Sequence, residues 1–461
     1  MVISMINYDI YFENVRENIK QVYLHDNRPW LIGYSGGKDS TLLLYLVFEV
    51  VSSLPEHLRT KKIYAVTSDT MVENPIIKRF MHKSSALINK CSNSKKLNIE
   101  SRLIYPEADN TFWSKIIGNG YPTPEPPGFR WCTDRLKIKP MNKFVNEIIN
   151  NDGEVVILLG VRKGESELRK RNISKREIEG KLLIPHTDIR KAYMFNPLTE
   201  IPNEVVWSFL LKNDSMTPWG VDTKFLFNLY QGEDFDEEQS FIAELDEKKV
   251  SSTGNSRFGC WCCTIVKQDK SLNSFIEKGS EELVPLRDFR KFLFEIRSSR
   301  EYRDNKRANG TYYTNSKGEE GLGPFTLAGR YLILKNLLLL QKKTGFELIT
   351  IEELKYIQEK WETDGDLTKR MLPDLYFEII GERLSWDEFK QPVFDNEIIS
   401  EIKKICEDSD IPFELISKLV MCIEKYKHSY KGEKLKKEFL RLLSQDWVHK
   451  DAIEGGTEDE N

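Results

Sequence analysis

Short apolar runs alternate with longer amphipathic stretches through the first half of this chain. Residues 6–27 carry scattered apolar positions among polar ones and read as one helix. Trp30, Leu31 and Ile32 form a short strand-like run, closed by a glycine turn at Gly36 and Gly37. The chain is then apolar as far as Val50, the pattern of a buried helix. After a polar linker at 54–61, residues 62–67 read as a second strand. Glu73, Asn74 and Pro75 open a helix to about Lys90, with proline near its first turn. Further strands are predicted at 99–105 and 154–160, with a helix ending at Asn150 between them. Phe195 marks a strand end bounded by proline, followed by an amphipathic helix to Leu210. This alternation predicts an α/β fold, a mostly parallel sheet with flanking helices. Ligands of such sheets sit at the carboxyl ends of strands.

The second half lacks that alternation. Residues 272–300 read as helical and 301–322 as a polar, glycine-bearing loop. Gly323, Pro324, Phe325 and Thr326 lead into a helix ending near Lys343, and short helical patterns follow. The expected domains are 1–215, with the sheet; 216–345, a cysteine-bearing and helical extension; and 346–461, a small helical domain. Its acidic tail, 454–461, has a disordered composition. Between the third strand and the Asn150 helix, 106–128 reads as a long loop rich in proline and glycine. It runs into a cationic and aromatic stretch from Phe129 to Pro140.

Composition narrows the classes. The net charge of −4 over 461 residues announces no nucleic-acid binder, so any such contact must come from a local basic face. No apolar run reaches 18 residues, and Asp9, Glu13 and Glu17 interrupt the first stretch where a signal peptide needs an apolar core. A cytoplasmic location is therefore expected, where cysteines serve metals or catalysis more often than disulfides.

The chemistry gathers at predicted strand ends. Ser35, Gly36, Gly37, Lys38, Asp39 and Ser40 combine glycine backbone, hydroxyls and a cation at a helix start, which suits an anion. Asp39 repels phosphate unless a cation intervenes, which suggests Mg²⁺ bridging to a nucleotide. The spacing is not that of the Walker A loop. Ser68, Asp69 and Thr70 end the second strand. Gly160, Arg162, Glu165 and Ser166 follow the 154–160 strand, with Arg162 suited to a phosphate and Glu165 or Ser166 suited to hold it. The plain alternatives are a glycine turn and salt-bridged surface turns.

Of seven cysteines, three lie at Cys260, Cys262 and Cys263. Cys260 and Cys263 have the CxxC spacing that lets two thiolates share a metal centre, and Cys132 ends the loop that should flank the nucleotide. Zinc, an iron–sulfur cluster and a redox pair all fit this pattern, with Cys262 a further candidate ligand. Cys91, Cys406 and Cys422 read as ordinary core or surface thiols. The acidic run at Asp234, Asp236, Glu237 and Glu238 reads as solvated. Arg303, Lys306 and Arg307, interleaved with Tyr302, Tyr312 and Tyr313, suit either nucleic acid or a surface loop.

Together the Ser35–Ser40 loop, Ser68–Thr70, Cys132 with Leu136, Lys137 and Pro140, Gly160–Ser166 and Cys260–Cys263 resemble the phosphoadenosine phosphosulfate (PAPS) reductase-like branch of the ATP pyrophosphatase (PP-loop) superfamily. Three runs resemble its DndC family, the sulfurtransferases of DNA phosphorothioation: Gly120 to Pro122 with Phe129 to Thr133, Arg257 to Trp261, and Gly323 to Thr326. That resemblance spans roughly residues 10–345. It implies an enzyme that cleaves ATP to AMP and pyrophosphate, carries a [4Fe-4S] cluster, and replaces a non-bridging oxygen of a DNA phosphate by sulfur. The implied partners are a cysteine desulfurase, other Dnd proteins and DNA. Gly36, Gly37, Lys38 and Ser40 would hold pyrophosphate, Asp39 the Mg²⁺ ion and Asp69 the adenosine side. Arg162 would serve the α-phosphate, and Cys132 or the cluster would carry sulfur. Cluster-bearing reductase relatives often have paired cysteines where this chain has Trp131 and Cys132, so the fourth ligand stays open.

Three rivals remain. A sulfonucleotide reductase usually carries a nucleophilic cysteine near its C-terminus, and residues 454–461 have none. A tRNA thiolation enzyme shares the loop but lacks the Phe129–Cys132 run. A nucleotide-binding regulatory subunit would bind ATP without cleaving it.

Overall fold

The computed structural model describes residues 8–125, 130–165, 167–176, 180–212, 215–230, 259–314, 318–387, 392–427 and 432–447. The chain divides into two compact units, Met1–Glu107 with Pro124–Val284, and Ala108–Thr123 with Pro285–Asn461.

The first unit is built on a six-stranded sheet. Its strands are β1 (Trp30–Gly33), β2 (Ile63–Ser68), β3 (Ile99–Ile104), β4 (Val155–Leu158), β5 (Ile184–Pro185) and β6 (Ala192–Phe195), in the order β3-β2-β1-β4-β6-β5. All neighbours pair parallel except β5 with β6. The parallel α/β expectation therefore holds, and the two-residue β5 at the edge is a strand too short to leave an alternating pattern. β1 is apolar throughout and β4 is buried at every position, as strands covered on both faces must be.

Helices cover both faces. On one, Tyr8–His25 packs through Phe12, Val15, Ile19 and Val22, and Asn203–Leu211 through Val205, Val206 and Phe209. Between them lies Lys38–Ser53, in which 12 of 16 residues are buried, so its apolar run needed no polar face. On the other face, Met141, Phe144, Val145 and Ile148 of the helix Lys139–Asp152 pack on Leu31, Val66, Val155 and Ile157. The helix Pro75–Ser94 starts as its sequence requires, with Asn74 Oδ1 accepting from Ile76 N at 2.9 Å and proline at the first position.

The order of strands has a mechanical consequence. Connections from β1 proceed one way to β2 and β3, and then the other way to β4, so a crevice opens between the carboxyl ends of β1 and β4. Gly160, two residues past β4, abuts the first turn of the helix Lys38–Ser53. A Cβ there would stand 2.7 Å from Asp39 O and 3.1 Å from Ser40 N.

The second unit is helical, as expected for the C-terminal part. The helix Leu327–Thr344 begins with Thr326 Oγ1 accepting from Gly329 N and ends at Gly345 in the left-handed conformation. Ile351–Thr363 starts with a full capping box between Thr350 and Glu353. Met371–Ile380, Asn396–Asp408, Phe413–Tyr426 and Gly432–Leu443 follow. One correction concerns 106–128, which reads as an unstructured loop. Residues Ala108–Asn110 and Ser114–Gly118 are helical turns, and Phe112, Trp113, Ile116 and Ile117 are buried. Trp113 Nε1 donates to Leu348 O at 2.8 Å, Trp361 Nε1 to Ile117 O at 2.7 Å, and Arg330 Nη1 to Gly118 O at 2.6 Å. The apolar pairs at helical spacing carry this core function, which the surrounding prolines and glycines masked. The acidic run at 234–238 and the tail at 454–461 lie outside the described residues. Among the described residues no helix is long and apolar enough to cross a membrane.

Gly160→Ala should destabilise the first unit by about 1–3 kcal/mol, because the contacts at its Cβ are backbone and cannot rotate away. Chemical denaturation of the two proteins measures it. An unchanged midpoint would show that the helix start can retreat from β4.

Candidate active site

The glycine loop lies between β1 and the helix Lys38–Ser53. Gly36 has φ +76°, and a Cβ on it would press on Phe80 at 3.2 Å. Glycine therefore serves both conformation and space. Gly37 caps the helix, Ser40 Oγ donates to Gly37 O at 3.0 Å, and Gly37 N donates to Ser35 Oγ at 3.3 Å. The two serine hydroxyls lie 3.1 Å apart. These bonds fold the loop back on the helix start, where the aligned peptide dipoles favour an anion.

Lys38, Asp39 and Arg162 form a buried charge cluster at the β1–β4 crevice. Arg162 Nε lies 2.6 Å from Asp39 Oδ1, and Lys38 Nζ lies 3.3 Å from Asp39 Oδ2. Arg162 also reaches Ile201 O at 3.3 Å and Asn203 Oδ1 at 3.2 Å. The sequence suggests Glu165 or Ser166 as the group that holds Arg162; Asp39 and Asn203 are partners of Arg162 that it does not name for that role. Glu165 closes the short turn Lys163–Glu165, and the roles expected of the Glu165 and Ser166 side chains fall outside the described residues. Lys38 and Arg162 converge on the Asp39 carboxylate, and a divalent ion at Asp39 would share its oxygens with them. Gly160 contributes closeness of backbone.

At the end of β2, Asp69 is fully buried. Its Oδ1 accepts from Met71 N at 2.8 Å and its Oδ2 lies 2.9 Å from His82 Nε2. These bonds shape the turn in which Met71 takes φ +67°. Ser68 Oγ donates to Leu136 O at 3.4 Å. Thr70 Oγ1 donates to Glu73 Oε1 at 2.8 Å and lies 3.5 Å from Cys260 Sγ.

The cysteine segment docks on this turn. Glu73 and Cys260 form an antiparallel bridge, Trp261 N donates to Val72 O at 3.1 Å, and Cys263 N donates to Cys260 O at 2.9 Å. Thr264 Oγ1 donates to Pro124 O at 2.7 Å, tying the CxxC turn to the segment that leads towards Cys132. Cys132 itself caps a π-helical stretch, Thr133–Ile138. Pro140 has no N–H to continue the ordinary ladder, which accounts for the wider turn. The i, i+5 spacing of that turn sets Lys137 beside Cys132.

The structure thus brings Cys132, Cys260, Cys262 and Cys263 within range of one another's charge. Burial pushes the Cys132 thiol up to about 12, with Cys263 adding to the rise and Lys137 opposing it. Burial also raises Cys260 and Cys262 well above the ordinary thiol range. Among the described residues, however, no three Cys, His, Asp or Glu side chains are disposed to share one ion. The donor set has the chemistry of a metal centre without its geometry, so no reaction step is drawn through a cluster. Cys91, Cys406 and Cys422 sit in helices elsewhere, as expected.

Glu73 escaped sequence reasoning, and Lys137 entered it only as part of the Cys132 motif, with no role given. Glu73 is fully buried, burial raises its carboxyl above the usual range, and its Oε2 has no hydrogen-bond partner. Lys137 opposes the ionisation cost at Glu73, Cys132 and Cys260 together. In the sequence Glu73 looks like a helix-start residue, and only the distant pairing with Cys260 exposes it. The signal for Lys137 is a lysine five residues past a cysteine, before a proline.

Arg162→Met should cost on the order of 3 kcal/mol, because it strips a buried carboxylate of its principal partner. Adding Asp39→Asn should recover part of that loss in a double-mutant cycle followed by urea denaturation; strictly additive losses would show the pair to be uncoupled. A second expectation concerns pH in iron-free protein. A thiol raised on folding contributes stability that is complete below its unfolded value and lost as pH climbs towards the folded one, here about 12. Native Cys132 should therefore resist iodoacetamide at pH 8.5 and react rapidly in denaturant. Equal rates in the two states would contradict the burial.

With the geometry in place, comparison with known proteins is informative. The family profile described as the phosphoadenosine phosphosulfate reductase domain matches residues 29–265, just over half of the chain. This span runs from β1 through Cys263 and so includes every segment of the site. An uncharacterized protein of Methanocaldococcus jannaschii is 28% identical over 204 residues, 44% of this chain and 36% of that protein, so the match spans about a third of the relative's length. Among solved structures, the chain is similar to a PAPS reductase from Candida auris in a phosphate complex (11% identity, TM-score 0.29, covering 51% of this chain and 97% of that one). It is also similar to the U34-tRNA thiolase NcsA from Methanococcus maripaludis with its [4Fe-4S] cluster (12%, 0.31, 62% and 80%). A third is the FMN adenylyltransferase of Candida glabrata (13%, 0.30, 59% and 81%). Scores of this size reflect shared strand–helix pieces and decide nothing about ligand or reaction. The match of the profile across sheet, loop and cysteine turn is the finding that carries weight: the chain belongs to the phosphoadenosine phosphosulfate reductase domain family.

Proposed function

We infer that this protein is an ATP pyrophosphatase and sulfurtransferase that activates a DNA backbone phosphate and helps replace a non-bridging oxygen by sulfur, the reaction of the DndC family. The observation that supports it is the adjacency of two chemistries along one sheet edge. The Lys38–Asp39–Arg162 cluster and glycine loop lie past the ends of β1 and β4, and the thiol-bearing turn docks on the turn that follows the neighbouring β2.

A phosphate oxygen is a poor leaving group. Its attack on the α-phosphorus of ATP releases pyrophosphate and turns that oxygen into part of AMP. A sulfur nucleophile then attacks the DNA phosphorus, and the oxygen departs with AMP. In this reading the glycine-loop N–H groups, Ser40 and Lys38 hold the pyrophosphate portion, and Arg162 stabilises charge that grows at the α-phosphate. Asp39 fixes the directions of Lys38 and Arg162. A divalent ion, when present, supplies charge neutralisation between the phosphates and is carried by the nucleotide. Asp69 positions the turn on the adenosine side. Cys132 would take the outer sulfur from the persulfide of a cysteine desulfurase, whose thiolate leaves, with Lys137 favouring the Cys132 thiolate. Once that sulfur has attacked the DNA phosphorus, a thiol reductant cleaves the S–S bond and releases the phosphorothioate.

Lys38→Ala should abolish pyrophosphate release from ATP, with wild-type release in that variant refuting the nucleotide site. Radiolabelled sulfur supplied through a cysteine desulfurase should enter DNA in the complete system. Label appearing in tRNA instead would assign the protein to thiolation of that substrate.

A further inference from the structure

The second unit holds a cavity of about 830 Å³ that the sulfur-transfer reaction does not use. Its walls come from the loop Arg300–Arg307, from Pro324 to Ala328, and from the helices Asn396–Asp408, Phe413–Tyr426 and Gly432–Leu443. Eight lining residues are Lys or Arg and four are Asp or Glu. This excess stands out in a chain whose net charge is −4.

Part of it is paired: Arg330 with Asp364 at 2.7 Å, Lys418 with Glu414 and Arg441 with Glu438 at 2.8 Å, while half-buried Asp304 has its carboxyl pushed up. Arg307 and Lys403 line the cavity and are exposed. Arg300 and Arg303 spend N–H groups on backbone carbonyls. Arg300 reaches Gly321 O at 2.8 Å, and Arg303 reaches Gly323 O at 2.6 Å and Leu322 O at 2.8 Å. Carbonyls satisfy these hydrogen bonds without adding a negative charge. Arg330 is 4% exposed, lines the cavity, and its Nε has no hydrogen-bond partner. Aromatic rings sit beside the cations: Lys306 Nζ lies 4.0 Å from the Trp447 ring centroid, and Lys403 Nζ 5.2 Å from that of Phe413.

We propose that this cavity binds a short segment of single-stranded nucleic acid through its phosphates. The volume falls in the range of about 300–1,000 Å³ that holds multi-atom ligands, larger than one orthophosphate needs. Its cations are carried by five separate stretches of chain, so they meet several phosphates and not one. Rings interleaved with cations give bases somewhere to stack. Stacking on those rings needs unpaired bases, so the cavity suits a few nucleotides of one strand. The choice of DNA as the probe rests on the sulfurtransferase reading, whereas the binding rests on the cavity alone.

The test is fluorescence anisotropy of the full chain with a labelled single-stranded DNA of about 12 nucleotides across a salt series. Arg307→Glu with Lys403→Glu changes two exposed residues, so the fold is kept. It should weaken binding at least tenfold and flatten the salt dependence by about 1.4 log units per log unit of salt, roughly 0.7 for each phosphate no longer neutralised. Lys434→Glu, an exposed reversal outside the cavity lining, should bind as wild type. Lys38→Ala should also bind as wild type, so failure of the ATP reading and failure of this one are told apart. The proposal is overturned by wild-type affinity in the double variant, by loss of binding in Lys38→Ala, or by duplex binding as tight as single strand. Displacement of the strand by millimolar orthophosphate would likewise overturn it in favour of a small-anion site.

Discussion

The buried ion pair between Asp39 and Arg162 is the constraint on which the site depends. It joins the first turn of a helix that follows β1 to the segment that follows β4, across the crevice that the strand order opens. Taking these charges out of water is costly, and two additional acceptors on Arg162 offset it. In return the pair fixes the loop, Lys38 and Arg162 in one arrangement before any ligand arrives. Preorganisation of that kind is what electrostatic catalysis requires. Gly160 is the partner constraint, since the pair can close only where β4 lets the helix backbone come near.

The thiol side is organised by a different force. The cysteine turn is held by backbone pairing to the turn after β2, a short sheet-like contact made by residues nearly two hundred positions apart. Around it Glu73, Thr70 and Lys137 form a dry, partly satisfied polar nest. An unpartnered carboxylate oxygen in such a place is expensive. Its presence beside four thiols marks this as a place where the chain gives up stability for chemistry, much as strained backbone does at other sites.

Much of this was legible in the residues. The strands β1 and β4 announced themselves as continuous apolar runs, because burial on both faces leaves no polar alternation, whereas the edge strand β3 alternates, with Glu100 and Arg102 exposed. The glycine loop was legible from its composition alone. What the sequence hid were relations at a distance. Arg162 was visible as a phosphate-binding residue, but its buried ion pair with Asp39 joins positions 123 apart, which the residues around it do not indicate. Residues 108–118 looked like loop because proline and glycine surround them, although Trp113 and Ile117 are core. Arg303, read with its tyrosines as a nucleic-acid contact or a surface residue, is instead buried and ties its own loop together through carbonyls. The loop's charge therefore faces a cavity that only the fold creates.

The helical turns at Ala108–Thr123 also have a consequence for how the protein is made. They belong with Leu348 and Trp361, 235 and 244 positions later in the pairs that bind them. On a ribosome adding about 5–20 residues per second, that apolar segment waits on the order of ten to fifty seconds for its partners. The sheet unit can close around the gap, but the tryptophan-bearing excursion stays uncovered until most of the chain has emerged. Synthesis of this protein therefore calls for a holding chaperone at that stage, and fragments ending before Leu327 would carry a sticky loop that no later helix arrives to cover.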